Sequence, residues 1–149
     1  MNGINRMTSI QRCCPMRMEY RLFFSNEKVI MNADPLLLVR VFDNLISNAI
    51  KYGSSGKYLD IELSTANNEA LIRIINYGEP ISDEDLPFVF ERFYKADKSR
   101  LEQTNGSGLG LAIVKSIIEL HGGTVSVSNR DDRTAFEIRF GVRSGLLNV

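Results

Sequence analysis

A net charge is what this chain most clearly lacks, because 18 basic residues balance 18 acidic ones. A balanced chain carries no global field that would favour nucleic acid or an anionic membrane surface as a partner. Long apolar runs are missing as well, since none approaches the roughly 18 residues that indicate a membrane span. The first residues also lack the apolar stretch of a secretory signal. We therefore expect no nucleic acid partner and no membrane segment in this chain.

Cysteine and histidine are scarce. The two cysteines, Cys13 and Cys14, are adjacent, and neighbours in sequence rarely reach good disulfide geometry. Two thiols and one distant histidine, His121, do not supply a zinc site. The sequence therefore predicts reduced thiols and no metal bound by cysteine or histidine.

The chain has 149 residues, enough for one domain with a real core. Residues 1–18 are polar and without a clear period, so we expect an irregular tail or the remnant of a preceding segment, and a domain at 19–149. The segments "YRLFF" and "EKVIMN" are predicted to form a short hairpin around Ser25 and Asn26.

A strong helix signal comes next, in "ADPLLLVRVFDNLISNAIKYG". Asp34 is a good N-cap, Pro35 suits the first helical position, and Gly53 follows the last apolar residue. Leu38, Leu45 and their apolar neighbours lie on one arc of this helix. One face of the helix is therefore predicted to enter the core.

The rest of the chain alternates strands and helices. Apolar alternation predicts strands near 58–65 and 70–76, and Ser82 begins a predicted short helix at 82–94. A polar loop then leads to a second helix in "LGLAIVKSIIELHGG" and to a strand pair in "TVSVSNR" and "TAFEIRF". Helices covering one face of a mostly antiparallel sheet make a two-layer α/β sandwich.

Three polar residues, Asn44, Asn48 and Lys51, are spaced i, i+4, i+7 on the face of the first helix opposite its apolar arc. A solvated face is one interpretation, although it would normally include acidic partners. An amide oxygen also suits a magnesium ion that takes its negative charge from substrate phosphates, and a lysine one turn later can meet a phosphate.

A glycine segment, "NGSGLGLAIVKS", opens the second helix. Glycines at 106, 108 and 110 leave backbone N–H groups open to a phosphate at the positive end of the helix dipole. The segment has neither the Lys-Ser/Thr of a P-loop nor the preceding strand of a dinucleotide fingerprint. It indicates an anion cradle or a flexible hinge.

The order of these pieces, with "INYGEPIS" and "FERFYK" between the two helices, resembles the ATP-binding catalytic domain of sensor histidine kinases. That superfamily also holds DNA gyrase, the mismatch-repair ATPases and a heat-shock chaperone. The resemblance covers roughly residues 31–140. It implies the Bergerat ATP-binding fold, a mixed, mostly antiparallel sheet with helices on one face, and it implies ATP and Mg²⁺ as cofactors.

The resemblance also implies roles for the first helix. Asn48 matches the magnesium-ligating asparagine, and Asn44 the asparagine one turn earlier. Lys51 is similar to the phosphate-contacting lysine and Tyr52 to the aromatic residue that lines the nucleotide, while Arg92 matches a cation that reaches the phosphates. Among these, Asn44, Lys51 and Arg92 are the implied catalytic residues.

The adenine end shows departures from the family pattern. Asn76 stands where an aspartate usually accepts from the adenine amino group, and Pro80 and Arg133 replace glycines. Gly78 and Thr134 match the pattern. Losing the charge at position 76 weakens one hydrogen bond by about 1 kcal/mol, so we expect ATP binding to survive, somewhat weakened.

An ATP lid is implied at about 95–107, after a hinge of two phenylalanines. The remaining implied nucleotide-binding residues are Ile81, Phe90, Phe93, Lys95, Gly106, Ser107, Gly108, Leu109, Gly110 and Leu111.

The implied function is transfer of the ATP γ-phosphoryl group to a histidine on a separate dimerisation domain that this chain does not include, with a response regulator as the later partner. Asn44 stands where the gyrase-like ATPases have the glutamate that activates water, so efficient hydrolysis is not expected. His121 matches a structural histidine of the family. The resemblance further implies the cytoplasmic part of a bacterial membrane-bound sensor, and we expect this chain to be a monomer.

Two other hypotheses remain. A free-standing serine kinase of the anti-sigma-factor type has this fold at about this length, although "FERFYK" disfavours it. A non-catalytic nucleotide-binding module is the other hypothesis, because Asn76, Pro80 and Arg133 all depart from the pattern.

Overall fold

The computed structural model describes residues 5–7, 19–25, 28–52, 58–94 and 110–142. Its helices are α1 (Pro35–Tyr52) and α2 (Gly110–Leu120). Its strands are β1 (Asn5–Met7), β2 (Glu19–Phe24), β3 (Tyr58–Ala66), β4 (Glu69–Asn76), β5 (Thr124–Arg130) and β6 (Arg133–Gly141).

The six strands form one sheet in the order β1-β2-β3-β4-β6-β5. All neighbouring strands are antiparallel except β2 and β3, which run parallel. Parallel neighbours need a crossover connection, and α1 lies in it. The predicted two-layer sandwich with a mixed, mostly antiparallel sheet is confirmed.

The hairpin predicted around Ser25 and Asn26 is wrong. "EKVIMN" adds no strand over its described residues 28–32, and the antiparallel neighbour of β2 is β1. Part of the polar start, Asn5–Met7, thus belongs to the sheet. The local pattern misled because the parallel partner of β2 lies in the chain beyond α1.

Helix α1 begins as predicted. The Asp34 carboxylate accepts from the backbone N–H groups of Leu36 at 2.9 Å and Leu37 at 3.4 Å, which satisfies donors that the first turn leaves free. Pro35 is the first helical residue. Helix α2 ends in a Schellman motif. Gly122 has φ 73°, and the Gly123 N–H donates to the Ile118 carbonyl at 2.9 Å.

The core lies between the two helices and one face of the sheet. Its fully buried members are Val41, Leu45 and Ala49 from α1, Val114, Ile117 and Ile118 from α2, and Leu59, Ile74, Phe136, Ile138 and Phe140 from the strands. These apolar positions recur at helical spacing in α1 and at every second position in β6.

The helix predicted at 82–94 is mostly wrong, since only a 3-10 helix at Leu86–Phe88 forms there. Ser82 does cap the turn, because its Oγ accepts from the Asp85 N–H at 3.3 Å. Pro87 then contributes no N–H donor, and Phe93 has φ 63°, a left-handed conformation that no helix continues through.

The second face of the sheet carries charged residues. Arg73 of β4 contacts Glu62 at 3.6 Å and Glu137 at 3.1 Å, while Arg139 contacts Glu137 at 2.6 Å. Burial alone would raise the pKa of Glu137, but the hydrogen bonds from Arg139 and Arg73 outweigh it and lower that pKa. Linked ion pairs therefore lie on this face, and the apolar core lies on the other face.

Candidate functional site

Asn44, Asn48 and Lys51 form a polar stripe on α1. Asn44 in this stripe lies near the start of α2. A Cβ added at Gly110, the first residue of α2, would lie 3.8 Å from the Asn44 Oδ1 atom. Asn44, Asn48 and Lys51 are half-buried, whereas Ser47 on the same helix is exposed. The stripe is therefore not uniformly solvated, and the Asn44 amide lies at the first residue of α2.

A buried amide marks the other end of the site, at the end of β4. Asn76 is 5% exposed, and no described residue supplies a hydrogen-bond partner for its Oδ1. The side chain lies on the same sheet face as Ile74, which is in the core. A buried acceptor left without a donor costs free energy, so this oxygen is positioned to accept from a ligand.

Thr134 is the neighbour of Asn76 on β6 and is 2% exposed. Its hydroxyl donates to the Asn129 Oδ1 at 3.0 Å and accepts from the Ile81 N–H at 3.4 Å. The Asn129 Nδ2 donates to the Ile81 carbonyl. These bonds hold the loop after β4, in which Gly78 is buried, against the end of the sheet.

Asn129 is a site residue that the sequence prediction missed. It lies on β5 at the same face as the half-buried Val125 and Val127, so a polar residue follows two apolar ones at period two. This polar residue at an apolar position of the strand is the sequence feature that could have identified Asn129 as a site residue.

The end of β4 is fixed from the second face of the sheet. Asp60, 3% exposed, accepts from Arg21 at 2.5 and 2.8 Å and from the Tyr77 hydroxyl. The Arg21 guanidinium lies 4.2 Å from the Tyr58 ring centroid. Burial and the hydrogen bond to Asp60 raise the pKa of Tyr77.

Arg133 stands where the family pattern has a glycine, and strand alternation explains why its side chain is tolerated there. Its guanidinium carbon lies 5.3 Å from the Tyr77 ring centroid, on the opposite face of β6 from Thr134. A side chain there projects away from Asn76. Pro80 is exposed, so neither residue replacing a glycine fills the space beside Asn76.

The two phenylalanines of the implied hinge differ. Phe90 is half-buried and packs edge-on against Phe136, with ring centroids 6.1 Å apart. Phe93 is 71% exposed and Arg92 is also exposed, so the structure does not bring these two side chains into the site. Beside them, the Tyr94 hydroxyl donates to Asp85, which ties the end of the hinge to the turn that Ser82 caps.

Several predicted site residues lie outside the described residues. These are the lid at 95–107 with Lys95, the glycine-segment residues Gly106, Ser107, Gly108 and Leu109, and the side chain of Tyr52. Leu111 is described and packs half-buried against the core.

The described residues contain no cluster of three or more His, Cys, Asp or Glu that could hold a metal ion. Asp43, next to Asn44, is exposed. No helix in the described part of the chain is long and apolar enough to span a membrane.

The structure thus describes two features of the site: Asn44 of α1 at the first residue of α2, and a buried amide oxygen at the end of β4 that has no donor among the described residues. The chain belongs to the family of histidine kinase-, DNA gyrase B- and HSP90-like ATPases, whose family model matches residues 33–144, and it is an ATP-binding catalytic domain of the sensor histidine kinase type. The family that the sequence resemblance predicted is confirmed.

The chain is similar to the sensor histidine kinase CusS of Escherichia coli K12, with 42% identity over 117 residues that make up 78% of this chain. It is also similar to the sensor protein CzcS of Cupriavidus metallidurans, with 39% identity over 109 residues, 72% of this chain. The matched segments are 24% and 23% of those relatives, so the chain spans about a quarter of their length.

Two solved structures have the same fold. The mycobacterial sensor histidine kinase MprB matches with a TM-score of 0.75 and 28% identity, covering 85% of each chain. The catalytic domain of the histidine kinase ThkA matches with a TM-score of 0.67 and 29% identity, covering 79% of this chain and 74% of that one. CusS, MprB and ThkA are named as histidine kinases and CzcS as a sensor protein, which does not favour the anti-sigma-factor hypothesis.

Proposed function

We propose that this domain binds Mg²⁺-ATP and transfers the γ-phosphoryl group to a histidine on a separate dimerisation domain. The observation that carries the proposal is the buried Asn76 Oδ1, which has no donor among the described residues. The adenine amino group is a donor of the right kind for it. The rest of the nucleotide would extend from there towards Gly110 and Asn44.

The phosphates would bind where α2 begins. Backbone N–H groups of the glycine segment and the helix dipole favour an anion at this end, and Lys51 adds a point charge one turn beyond Asn48. Residues 95–107 would close over the nucleotide as the lid, with the phenylalanine hinge at their base.

The side chains of α1 fit a magnesium ion that is bound mainly by phosphate oxygens. Asn48 would offer it a neutral amide oxygen as a ligand. A magnesium ion there would neutralise charge on the transferring phosphoryl group.

Transfer to an external acceptor fits the residues better than hydrolysis. An asparagine at position 44 cannot take a proton from water, and Asp43 is exposed beside it. Positioning and charge neutralisation carry most of phosphoryl-transfer catalysis, and this site offers both.

His121 is not the proposed acceptor, since both of its ring nitrogens are engaged. Nε2 accepts from the Asp34 N–H at 3.1 Å, and Nδ1 lies 2.7 Å from the Ile117 carbonyl. Because Nε2 accepts, Nδ1 carries the proton and donates it to that carbonyl. The acceptor histidine would lie on a helical hairpin outside this chain, and a response regulator would receive the phosphoryl group next.

Calorimetric titration with ADP tests the proposal. We expect micromolar binding that magnesium strengthens, and Asn48→Ala is expected to reduce the magnesium effect by about tenfold or more. Ser47→Ala, at an exposed position on the same helix, is the matched control. With ATP, the chain should then phosphorylate the histidine-bearing hairpin of a related sensor kinase supplied in trans.

Equal magnesium dependence in Asn48→Ala and the parent chain would remove the metal assignment. Nucleotide binding without transfer to any hairpin would favour the non-catalytic module. Absence of nucleotide binding would contradict the proposal altogether.

A further inference from the structure

We propose that Asn76 allows the base pocket to accept 6-oxopurine nucleotides, such as inosine diphosphate, as well as adenine nucleotides. This inference rests on the proposed nucleotide site. It concerns the selectivity of that site, which depends on the donors and acceptors presented at one buried position.

The amide of an asparagine can pair with either of two purine edges. Asparagine presents one acceptor oxygen and an NH₂ donor side by side. Adenine presents a 6-amino donor beside the N1 acceptor, and hypoxanthine presents an O6 acceptor beside an N1–H donor. Turning the amide by half a rotation matches either pattern with two hydrogen bonds.

A carboxylate at the same position would behave differently because it only accepts. With the 6-substituent of the base facing β4, its oxygens would meet the O6 lone pairs of a 6-oxopurine. Replacing that charge by a neutral amide removes the repulsion, and repulsion against the wrong ligand is a common source of selectivity.

The hydrogen bonds among the described residues do not fix which way the amide oxygen faces. No described residue donates to the Asn76 Oδ1. The nearest hydroxyl donor on the paired strand, that of Thr134, is committed to the Asn129 Oδ1 at 3.0 Å. Leu59, the neighbour on β3, has no polar side-chain atom to offer.

Burial makes the amide depend on the ligand for its hydrogen bonds. Asn76 is 5% exposed, so water competes poorly and the ligand must satisfy the amide. Whichever purine can pair with the amide in one of its two orientations gains that interaction. The site therefore selects for a purine edge with one donor and one acceptor, in either order.

The test compares ADP and inosine diphosphate by calorimetry, in magnesium, on the whole chain. We expect the two dissociation constants of the parent chain to lie within about tenfold of each other. Asn76→Asp should widen the preference for ADP by at least about tenfold. Asn68→Asp makes the same chemical change at an exposed turn residue and should leave the ratio as it is.

A parent chain that binds ADP but prefers it over inosine diphosphate by a hundredfold or more would overturn this inference and leave the proposed function standing. That comparison needs no variant, so it decides the question even where Asn76→Asp fails to fold. An unchanged ratio in a folded Asn76→Asp would overturn it too. Failure to bind either nucleotide would overturn the proposed function as well.

Discussion

At the scale of single residues, the site is built largely from neutral amides. Asn44 and Asn48 are half-buried on α1, and Asn76 is buried at the end of β4. An amide can present its donor or its acceptor to a ligand. Which of the two it presents depends on the protein groups that hydrogen-bond to the amide and set its orientation. Asn129 is the amide whose partners are both defined, because it donates to the Ile81 carbonyl and accepts from Thr134.

The first prediction at this scale is that Asn129→Ala weakens nucleotide binding although Asn129 is a positioning residue. Removing its amide frees the Ile81 carbonyl and the Thr134 hydroxyl, and the loop after β4 loses its anchor. One or two lost hydrogen bonds of this kind cost about 1–2 kcal/mol. Calorimetric titration with ADP should therefore show an affinity about five- to thirtyfold lower.

Two further variants separate positioning from general stability. Asn129→Asp keeps the acceptor for Thr134 but sets a carboxylate oxygen against the Ile81 carbonyl, so its affinity should be no higher than that of Asn129→Ala. Ser128→Ala, an exposed neighbour on β5, should change nothing. Parent-like ADP affinity in Asn129→Ala would show that the loop needs no such anchor.

At the scale of elements, the link from α2 to β5 depends on a close backbone approach. The turn ends at Gly123, where an added Cβ would lie 2.6 Å from the Arg139 carbonyl oxygen and 2.7 Å from the Phe140 ring. Real Cβ atoms do not approach backbone this closely, so the residue after the Schellman turn must be glycine for α2 to pack on the sheet.

We predict that Gly123→Ala destabilises the domain by about 1–3 kcal/mol, the usual cost of forcing extra volume into a packed site. Urea unfolding followed by circular dichroism measures the change in the free energy of unfolding. Gly141→Ala is the matched control, because nothing lies within 4 Å of a Cβ there. Equal stability of the two variants would mean that the turn after α2 relaxes without cost.

The helices and strands in which apolar residues recur at a regular spacing could be predicted from the sequence. Helix α1 forms with its predicted cap at Asp34, and the strands at 58–66 and 69–76 differ from the prediction by one residue at one end of each. The turn between them, Asn67 and Asn68, has positive φ at both residues, as a two-residue hairpin loop requires.

The pairing of β2 and the role of Asn129 were not predicted, because both depend on residues that are distant in the sequence. The parallel pairing of β2 with β3 brings Arg21 to Asp60, 39 positions away, and neither residue carries a local signal for it. The role of Asn129 depends likewise on Ile81, in another part of the chain. The helix predicted at 82–94 failed for a local reason: Ser82 indicated a helix start, but Pro87 and the left-handed Phe93 allow only a short 3-10 helix.

At the scale of the whole molecule, one cluster around the buried Asp60 joins three strands behind the proposed base pocket. Arg21 of β2, Asp60 of β3 and Tyr77 after β4 meet there. Removing one partner of a buried charge pair leaves the other uncompensated, so the cluster holds β2 to the sheet and fixes the position at which β4 ends. Its protonation state should therefore affect the stability of the whole domain.

The last prediction follows from the pKa of Tyr77, which burial and the hydrogen bond to Asp60 raise above the ordinary value of 10.0. In the folded chain this hydroxyl keeps its proton at a pH where the unfolded chain has lost it. Its contribution to stability is therefore complete below pH 10 and is lost as the pH rises towards the folded pKa. Denaturant unfolding at intervals from pH 8 to 11 should show this decline.

Tyr77→Phe should start from a lower stability, because the hydrogen bond to Asp60 is gone, and should decline less steeply above pH 10. Tyr58→Phe keeps the Tyr77 hydroxyl and the ring beside Arg21, so its slope should match that of the parent chain. Equal slopes for all three proteins would mean that the alkaline loss arises elsewhere. A flatter slope in Tyr77→Phe alone would identify this cluster as the part of the molecule through which high pH loosens β2, β3 and the end of β4 together.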